Sequence, residues 1–235
     1  MPQHHGKRFK ALAQSFDEKK LFTPPEAIAI VKKNATAKFD ETVEAHVRLG
    51  VDPKKSDQNV RGTVLLPHGT GRVVRVIAFA KGDNAKAATE AGADIVGDQD
   101  LIDKVKAGFT DFDIAVATPD MMASVGKELG RILAQKMPNP KAGTVTPNIA
   151  GAIRDIKAGK VEFRLDKTAI IHTIVGKASF DEAKLLENVN VLLDAIVRAK
   201  PSAAKGTYVR SVSLASTMGP GVKVDPNRLK AAATA

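Results

Sequence analysis

Val73-Val74-Arg75-Val76-Ile77-Ala78-Phe79-Ala80, then Ala93-Asp94-Ile95-Val96, then Phe112-Asp113-Ile114-Ala115-Val116-Ala117: these three short, nearly continuous apolar runs decide the fold. Continuous runs of this length, bounded by turn residues, mark strands covered on both faces. A helical pattern follows each run. Asp83 to Ala91 stops at Gly92, Asp98 to Ala107 stops at Gly108, and Pro119 to Leu133 follows Thr118. Caps and glycine stops therefore fall where helices need them. Strand and helix in strict alternation predict a parallel sheet.

Glycine borders this segment on both sides, in Leu66-Pro67-His68-Gly69-Thr70-Gly71 at the entry and Lys157-Ala158-Gly159-Lys160 at the exit. Two nearby crossings make a hinge, assigned to Pro67, Gly69, Gly71 and Gly159. The expected fold class is thus α/β combined with α+β. A parallel βαβ domain (67–159) is inserted in a discontinuous α+β outer domain (1–66 plus 160–228), and 229–235 is expected as a disordered tail.

In the outer segments, Thr23-Pro24-Pro25-Glu26 is a capping box with proline in the first turn, opening a helix to about Lys33. Thr42 to Leu49 alternates strictly, with Thr42, Glu44, His46 and Arg48 polar, which is the pattern of a half-exposed strand. Val60 to Leu66 is expected to pair back beside it. Val161 to Leu165 and Ala169 to Val175 read as two strands about an Asp166-Lys167 turn. Ser179-Phe180-Asp181-Glu182 reads as a second capping box before a helix to about Ala199, closed by Pro201. Thr207 to Ser216 alternates again and runs into the turn Ser216-Thr217-Met218-Gly219-Pro220-Gly221. Met1 to Lys10 is expected as a basic arm or a short strap.

The formal charge of +10 is unevenly placed. Pro67 to Gly159 holds 12 Lys and Arg against 11 Asp and Glu, so +9 of the excess lies on the flanking segments. Such an excess attracts polyanions, RNA first among them in a cytoplasm. With no cysteine, disulfides, thiolate catalysis and cysteine zinc sites are excluded. No run of about 18 apolar residues exists and the N-terminus has no apolar signal region, so a cytoplasmic protein without a membrane partner is expected.

Catalytic patterns are missing. Gly69-Thr70-Gly71 lacks a third glycine, since position 74 is Val74, and it precedes a strand instead of following one. Asp111, Asp113 and Asp120 flank a strand end, where a metal reading yields to Asp120 as a helix cap and to solvated Asp111 and Asp113, and His46, His68 and His172 have no nucleophile or paired carboxylate at a recognisable sequence spacing. One tyrosine and no tryptophan disfavour base stacking, so recognition of RNA by shape, phosphate and 2′-hydroxyl contacts fits better.

Four stretches carry a resemblance: Ala35 to Glu44 (ATAKFDETVE), Ser56 to Thr63 (SDQNVRGT), Met137 to Lys141 (MPNPK) and Ser216 to Gly219 (STMG). The chain resembles the bacterial ribosomal protein L-one family over nearly its whole length. The resemblance implies an inserted Rossmann-like domain and an outer domain that binds large-subunit rRNA in the mobile stalk. It also implies a role in movement and release of exit-site tRNA, repression of translation from the protein's own operon mRNA, no enzymatic activity, no cofactor, and one copy per ribosome. Matched residue by residue, the implied RNA contacts are Lys38, Phe39, Thr42, Glu44, Arg164, Lys167, Thr168, Ser211, Thr217, Met218 and Gly219. Two departures stand out: the link Ala134 to Met137 is shorter by about two residues than the family pattern, and Leu165 stands where asparagine is common. The alternative from another class is an enzyme holding a nucleotide or sugar phosphate on the parallel sheet.

Overall fold

The computed structural model describes residues 6–226; the His4–His5 pair and the expected tail 229–235 lie outside the described residues. The elements in chain order are α1 (Lys7–Ala13), α2 (Pro24–Asn34), β1 (Thr42–Leu49), β2 (Arg61–Leu65), β3 (Val76–Phe79), α3 (Asp83–Glu90), β4 (Ile95–Gly97) and α4 (Gln99–Lys106). There follow β5 (Ile114–Ala117), α5 (Pro119–Leu133), α6 (Ile149–Lys157), β6 (Lys160–Arg164), β7 (Ile170–Lys177), α7 (Glu182–Arg198), β8 (Val209–Ser216) and β9 (Val222–Val224). The contacts divide the chain into two compact units, Arg72–Lys160 and the two segments on either side of it.

In the unit Arg72–Lys160 the sheet order is β4-β3-β5, all parallel. Alternation along each strand sends side chains to opposite faces. Ile77, Phe79, Ala115 and Ala117 pack with α4 (Leu101, Ile102, Val105) and α5 (Met121, Val125, Leu129), whereas Val76, Ala78 and Val116 pack with α3 (Ala88) and α6 (Ile149, Ile153, Ile156). Two helical layers on one sheet explain why these strands are apolar throughout. The first strand is shorter than its apolar run: Val73 is 90% exposed and pairing begins at Val76.

The flanking unit is built on a four-stranded antiparallel sheet of order β7-β1-β8-β9. Its inner face, with Val43, Ala45, Val47, Ile171, Val175, Val212 and Leu214, buries against Ile28 and Val31 of α2 and Leu185, Val189 and Leu192 of α7. The capping box of α2 forms, with Thr23 N–H donating to Glu26 Oε2 at 2.9 Å.

Three expectations need correction. Strand β2 does not lie beside β1; it pairs with β6, because β1 already has β7 on one edge and β8 on the other. The second capping box does not form: α7 starts at Glu182 after Asp181, while Ser179 donates from its N–H (3.1 Å) and its hydroxyl (2.8 Å) to the Asp40 carboxylate. Two short elements, α1 and β9, were not expected as helix and strand. Strand β9 pairs with β8, and Phe22 bridges Val224 beside it.

Candidate nucleic-acid interface

The outer face of the four-stranded sheet is polar and organised in rows by the strand register. Ile174, Glu44 and Ala215 form one row, His172, His46, Ser213 and Lys223 the next, and Ile170, Arg48 and Ser211 the third. Every second residue of β1 is buried and the others are half-buried or exposed, so the alternation read from the sequence is the alternation of the sheet. The register thereby places Glu44 and Ser211 on one face.

At one end of this face two loops meet over a single carboxylate. Glu41 is 1% exposed and accepts from Ala37 N–H at 2.8 Å and from Met218 N–H at 2.9 Å. Burial on its own would raise its pKa, but the two amides, the Ser216 side chain and the nearby Arg8 charge together outweigh it and hold the carboxyl below its ordinary value. Around it Lys38, Phe39, Thr217 and Met218 are exposed, with Phe39 55% and Met218 52% open to solvent, unusual for such large apolar side chains. Arg8 of α1 donates to the Met218 carbonyl at 3.1 Å, and Lys177 Nζ donates to Thr42 Oγ1 at 3.0 Å. Gly219 lies against Ser216, whose hydroxyl would stand 2.4 Å from a Cβ at that position, so a side chain there would push that hydroxyl aside.

Thr217 is tied into the strand end. Its hydroxyl accepts from Thr42 N–H at 2.9 Å and faces the Thr42 carbonyl at 3.3 Å, while its own N–H donates to that carbonyl at 3.0 Å. Thr217→Val is therefore expected to cost about 1 kcal/mol of stability and less than about three-fold in RNA affinity. Thermal melting and an RNA titration of the same variant check this; a ten-fold affinity loss with normal melting would assign the hydroxyl to RNA instead.

At the other end, Asp166 builds the turn between β6 and β7. Its Oδ1 accepts from Thr168 N–H (2.8 Å) and Ile170 N–H (2.7 Å), and its Oδ2 accepts from the Thr168 hydroxyl (2.5 Å). Burial opposes the charge, but these donors prevail and its carboxyl is held below the ordinary range. Arg164, Lys167 and Thr168 are exposed around this turn. Leu165 is buried, 7% exposed, and extends the core under the turn, which is where its departure from asparagine goes. Beside the turn lies a cleft of about 370 Å³ lined in part by Arg48, Lys54, Lys167 and Arg210, and Arg210 also borders a second cleft of about 600 Å³ with Lys55 and Lys205.

None of these six cations forms an ion pair among the described residues. In the unit Arg72–Lys160, Arg72, Arg75, Lys81, Lys106, Lys157 and Lys160 are each matched by a carboxylate, while Lys104, Lys127, Arg131, Lys136, Lys141 and Arg154 form no ion pair among the described residues. Asp113 and Asp111 are the partners of Arg72 and Arg75, so these two carboxylates are held in ion pairs where simple solvation was expected. Among the described residues no group of three or more His, Asp or Glu side chains is placed to bind a metal.

The residues assigned to the hinge have defined local partners. Asn188 of α7, fully buried, accepts from His68 N–H (3.2 Å) and donates to the carbonyls of Gly69 (3.0 Å) and Val175 (2.8 Å), and His68 Nε2 meets Glu187 Oε2 at 2.6 Å. Pro67 immediately precedes this clamp. Gly71 has φ of +70°, and a Cβ there would stand 2.8 Å from Lys177 Cγ and 2.9 Å from the Phe180 ring, so only glycine fits. Gly159, with φ of +106°, ends α6 by donating to the Ile156 carbonyl.

Sequence reasoning missed Glu41, Asn188 and the contact between His46 and His172, because each has at least one partner distant along the chain. Glu41 lies inside a quoted motif, and that is the one available signal for it. No helix among the described residues is long and apolar enough to cross a membrane. Residues 31–220 match the model of the ribosomal protein L1p/L10e family. With an open polar sheet face, two exposed end loops and unmatched cations on the unit that carries them, the chain belongs to that family of ribosomal constituents that bind rRNA.

Proposed function

We propose that the protein binds folded rRNA of the large subunit's mobile stalk through the outer face of β7-β1-β8-β9 and the loops at its two ends, as a single copy. On this reading it assists movement and release of exit-site tRNA and represses translation of its own operon mRNA. Lys38, Phe39, Thr42, Glu44, Thr217, Met218 and Gly219 serve one end, Arg164, Lys167, Thr168 and Ser211 the other, and Pro67, Gly69, Gly71 and Gly159 mark the hinge.

The observation that carries this reading is the charge arrangement. The positive excess lies on the segments that carry the open sheet, where cations without carboxylate partners give a polyanion their full attraction. Face length agrees: the eight residues of β1 span about 25 Å, enough for several phosphates. The enzyme alternative is weakened by chemistry at the carboxyl ends of the parallel strands. Asp83 and Asp120 stand in the first turns of α3 and α5 and Asp98 directly precedes α4, so carboxylates occupy the helix starts where a phosphate would seat.

The test is a titration of a stalk rRNA fragment at several salt concentrations, with the operon leader as competitor. The two RNAs are expected to exclude one another, and Lys167→Ala is expected to flatten the salt slope by about one unit while weakening all RNAs alike. Simultaneous binding of both RNAs to one protein molecule would overturn the shared site.

A further inference from the structure

The middle row of the outer sheet face holds a group that none of the implied RNA contacts uses. His46 on β1 and His172 on β7 are directly opposite in the register, and their Nδ1 atoms stand 2.8 Å apart with the rings edge to face. A contact this short needs one N–H and one lone pair between the two nitrogens. The pair therefore exists with no proton added or with one. With two, both Nδ1 atoms carry hydrogen and the contact breaks.

Two carboxylates stand near the outer ring nitrogens, neither within hydrogen-bond distance. His46 Nε2 is 3.9 Å from Glu44 Oε2 on its own strand, and His172 Nε2 is 3.6 Å from Asp166 Oδ2 at the turn before β7. Asp166 Oδ2 is already engaged by the Thr168 hydroxyl. Strand β8 offers Ser211, Ser213 and Ala215, none of which titrates. Lys223 of β9 continues the same row through Ser213, and Arg48 stands in the next row on β1. Burial and the neighbouring His172 both depress the pKa of His46, which keeps that ring uncharged in the free protein near neutral pH.

We propose that His46 and His172 form a one-proton contact for an RNA phosphate in the centre of the sheet face, taking up the proton as the phosphate seats between them and Lys223. The inference rests on the RNA-binding reading of this face. A phosphate within hydrogen-bond reach favours imidazolium, so binding and protonation reinforce one another. The sign follows from linkage: the complex holds more protons than the free protein, and affinity rises as pH falls through the window between the two states. The contact lies between the two end loops, so it lends the centre of the face a grip that is weak at alkaline pH and strong at mildly acidic pH.

The experiment measures binding of a stalk rRNA fragment by the intact protein from pH 8 to pH 6 at fixed salt, beside the double variant His46→Gln, His172→Gln, with thermal melting of both. The unmodified protein is expected to gain about three- to ten-fold in affinity over that range and the variant to stay nearly flat. Calorimetry of the unmodified protein in buffers of different ionisation enthalpy is expected to show uptake of close to one proton near pH 7, a readout that does not depend on the variant folding. Equal pH dependence in a normally melting variant, or no proton uptake, overturns the proposal while leaving the RNA-binding reading in place. No RNA binding at any pH at low salt overturns that reading, and the proposal with it.

Discussion

Glu41→Ala is expected to weaken specific rRNA binding by about 100-fold and to lower the melting temperature in the same protein. The carboxylate is buried and its two oxygens each hold a backbone amide, one from the loop carrying Lys38 and Phe39, the other from the turn carrying Met218 and Gly219. Removing it leaves two donors unpaired and uncouples the loops, and hydrogen bonds to a charged group are worth about 1.5–3 kcal/mol each. Loops ordered only on binding draw that cost from the affinity, and about 2.7 kcal/mol corresponds to the 100-fold stated. Glu41→Gln keeps the volume but offers one acceptor in place of two, so an intermediate loss is expected. Unchanged affinity in Glu41→Ala would show that the loops hold each other without it. The pH behaviour separates this group from the histidine pair. The carboxyl is held below its ordinary 4.5, so its contribution is complete above that value and is lost only as pH falls through the lower folded value. Melting curves of wild type and Glu41→Gln should converge only in acid, below the ordinary glutamate value, and run parallel from pH 6 to pH 8, the window in which His46 and His172 act.

Asn188→Leu is expected to destabilise the outer unit by about 3–5 kcal/mol, a fall in melting temperature on the order of 10–20 °C. The side chain is fully buried and spends all three of its polar contacts on backbone: the amide of His68 and the carbonyls of Gly69 and Val175. Leucine fills the space and satisfies none of them. Glu187→Gln, one residue away, is the control, because it alters an ion pair with His68 in which the glutamate is largely exposed. Exposed pairs of that kind are worth about 1 kcal/mol at most. Equal small effects in both variants would mean that the segment after Leu66 finds other partners when Asn188 is lost.

Strand β1 and helix α5 were legible to the residue, and both for local reasons. Strict alternation delimits Thr42–Leu49, and Thr118 with Pro119 fixes the start of α5. The three apolar runs gave the parallel sheet because a strand buried on two faces needs apolar residues at every position. The partner of β2 was not legible, since nothing within Arg61–Leu65 distinguishes β1 from β6 as a neighbour. Short α1 and β9 escaped because their support is remote: Phe22 with Val224, and Arg8 with Met218. At the interface, strand parity put Thr42, Glu44 and His46 on one face from sequence alone. What Thr217 does with its hydroxyl required the other strand, 175 residues away.

The sheet order β7-β1-β8-β9 also sets a timetable for synthesis. Strand β1 emerges early, yet both of its neighbours come from beyond the insert, about 120 residues later for β7 and about 160 for β8. At translation rates of roughly 5–20 residues per second, that is about 6 to 30 s during which β1 has two unpaired edges. The segment Arg72–Lys160 has no such wait, because its strands and helices are contiguous and its two cores close as soon as α6 is made. Nascent chains should therefore hold a finished parallel-sheet domain beside an open outer one, and a ribosome stalled before Val209 should display the former protease-resistant and the latter not. The polar outer face of the sheet exists only once the last strands arrive, so an incomplete chain lacks the surface proposed to bind rRNA.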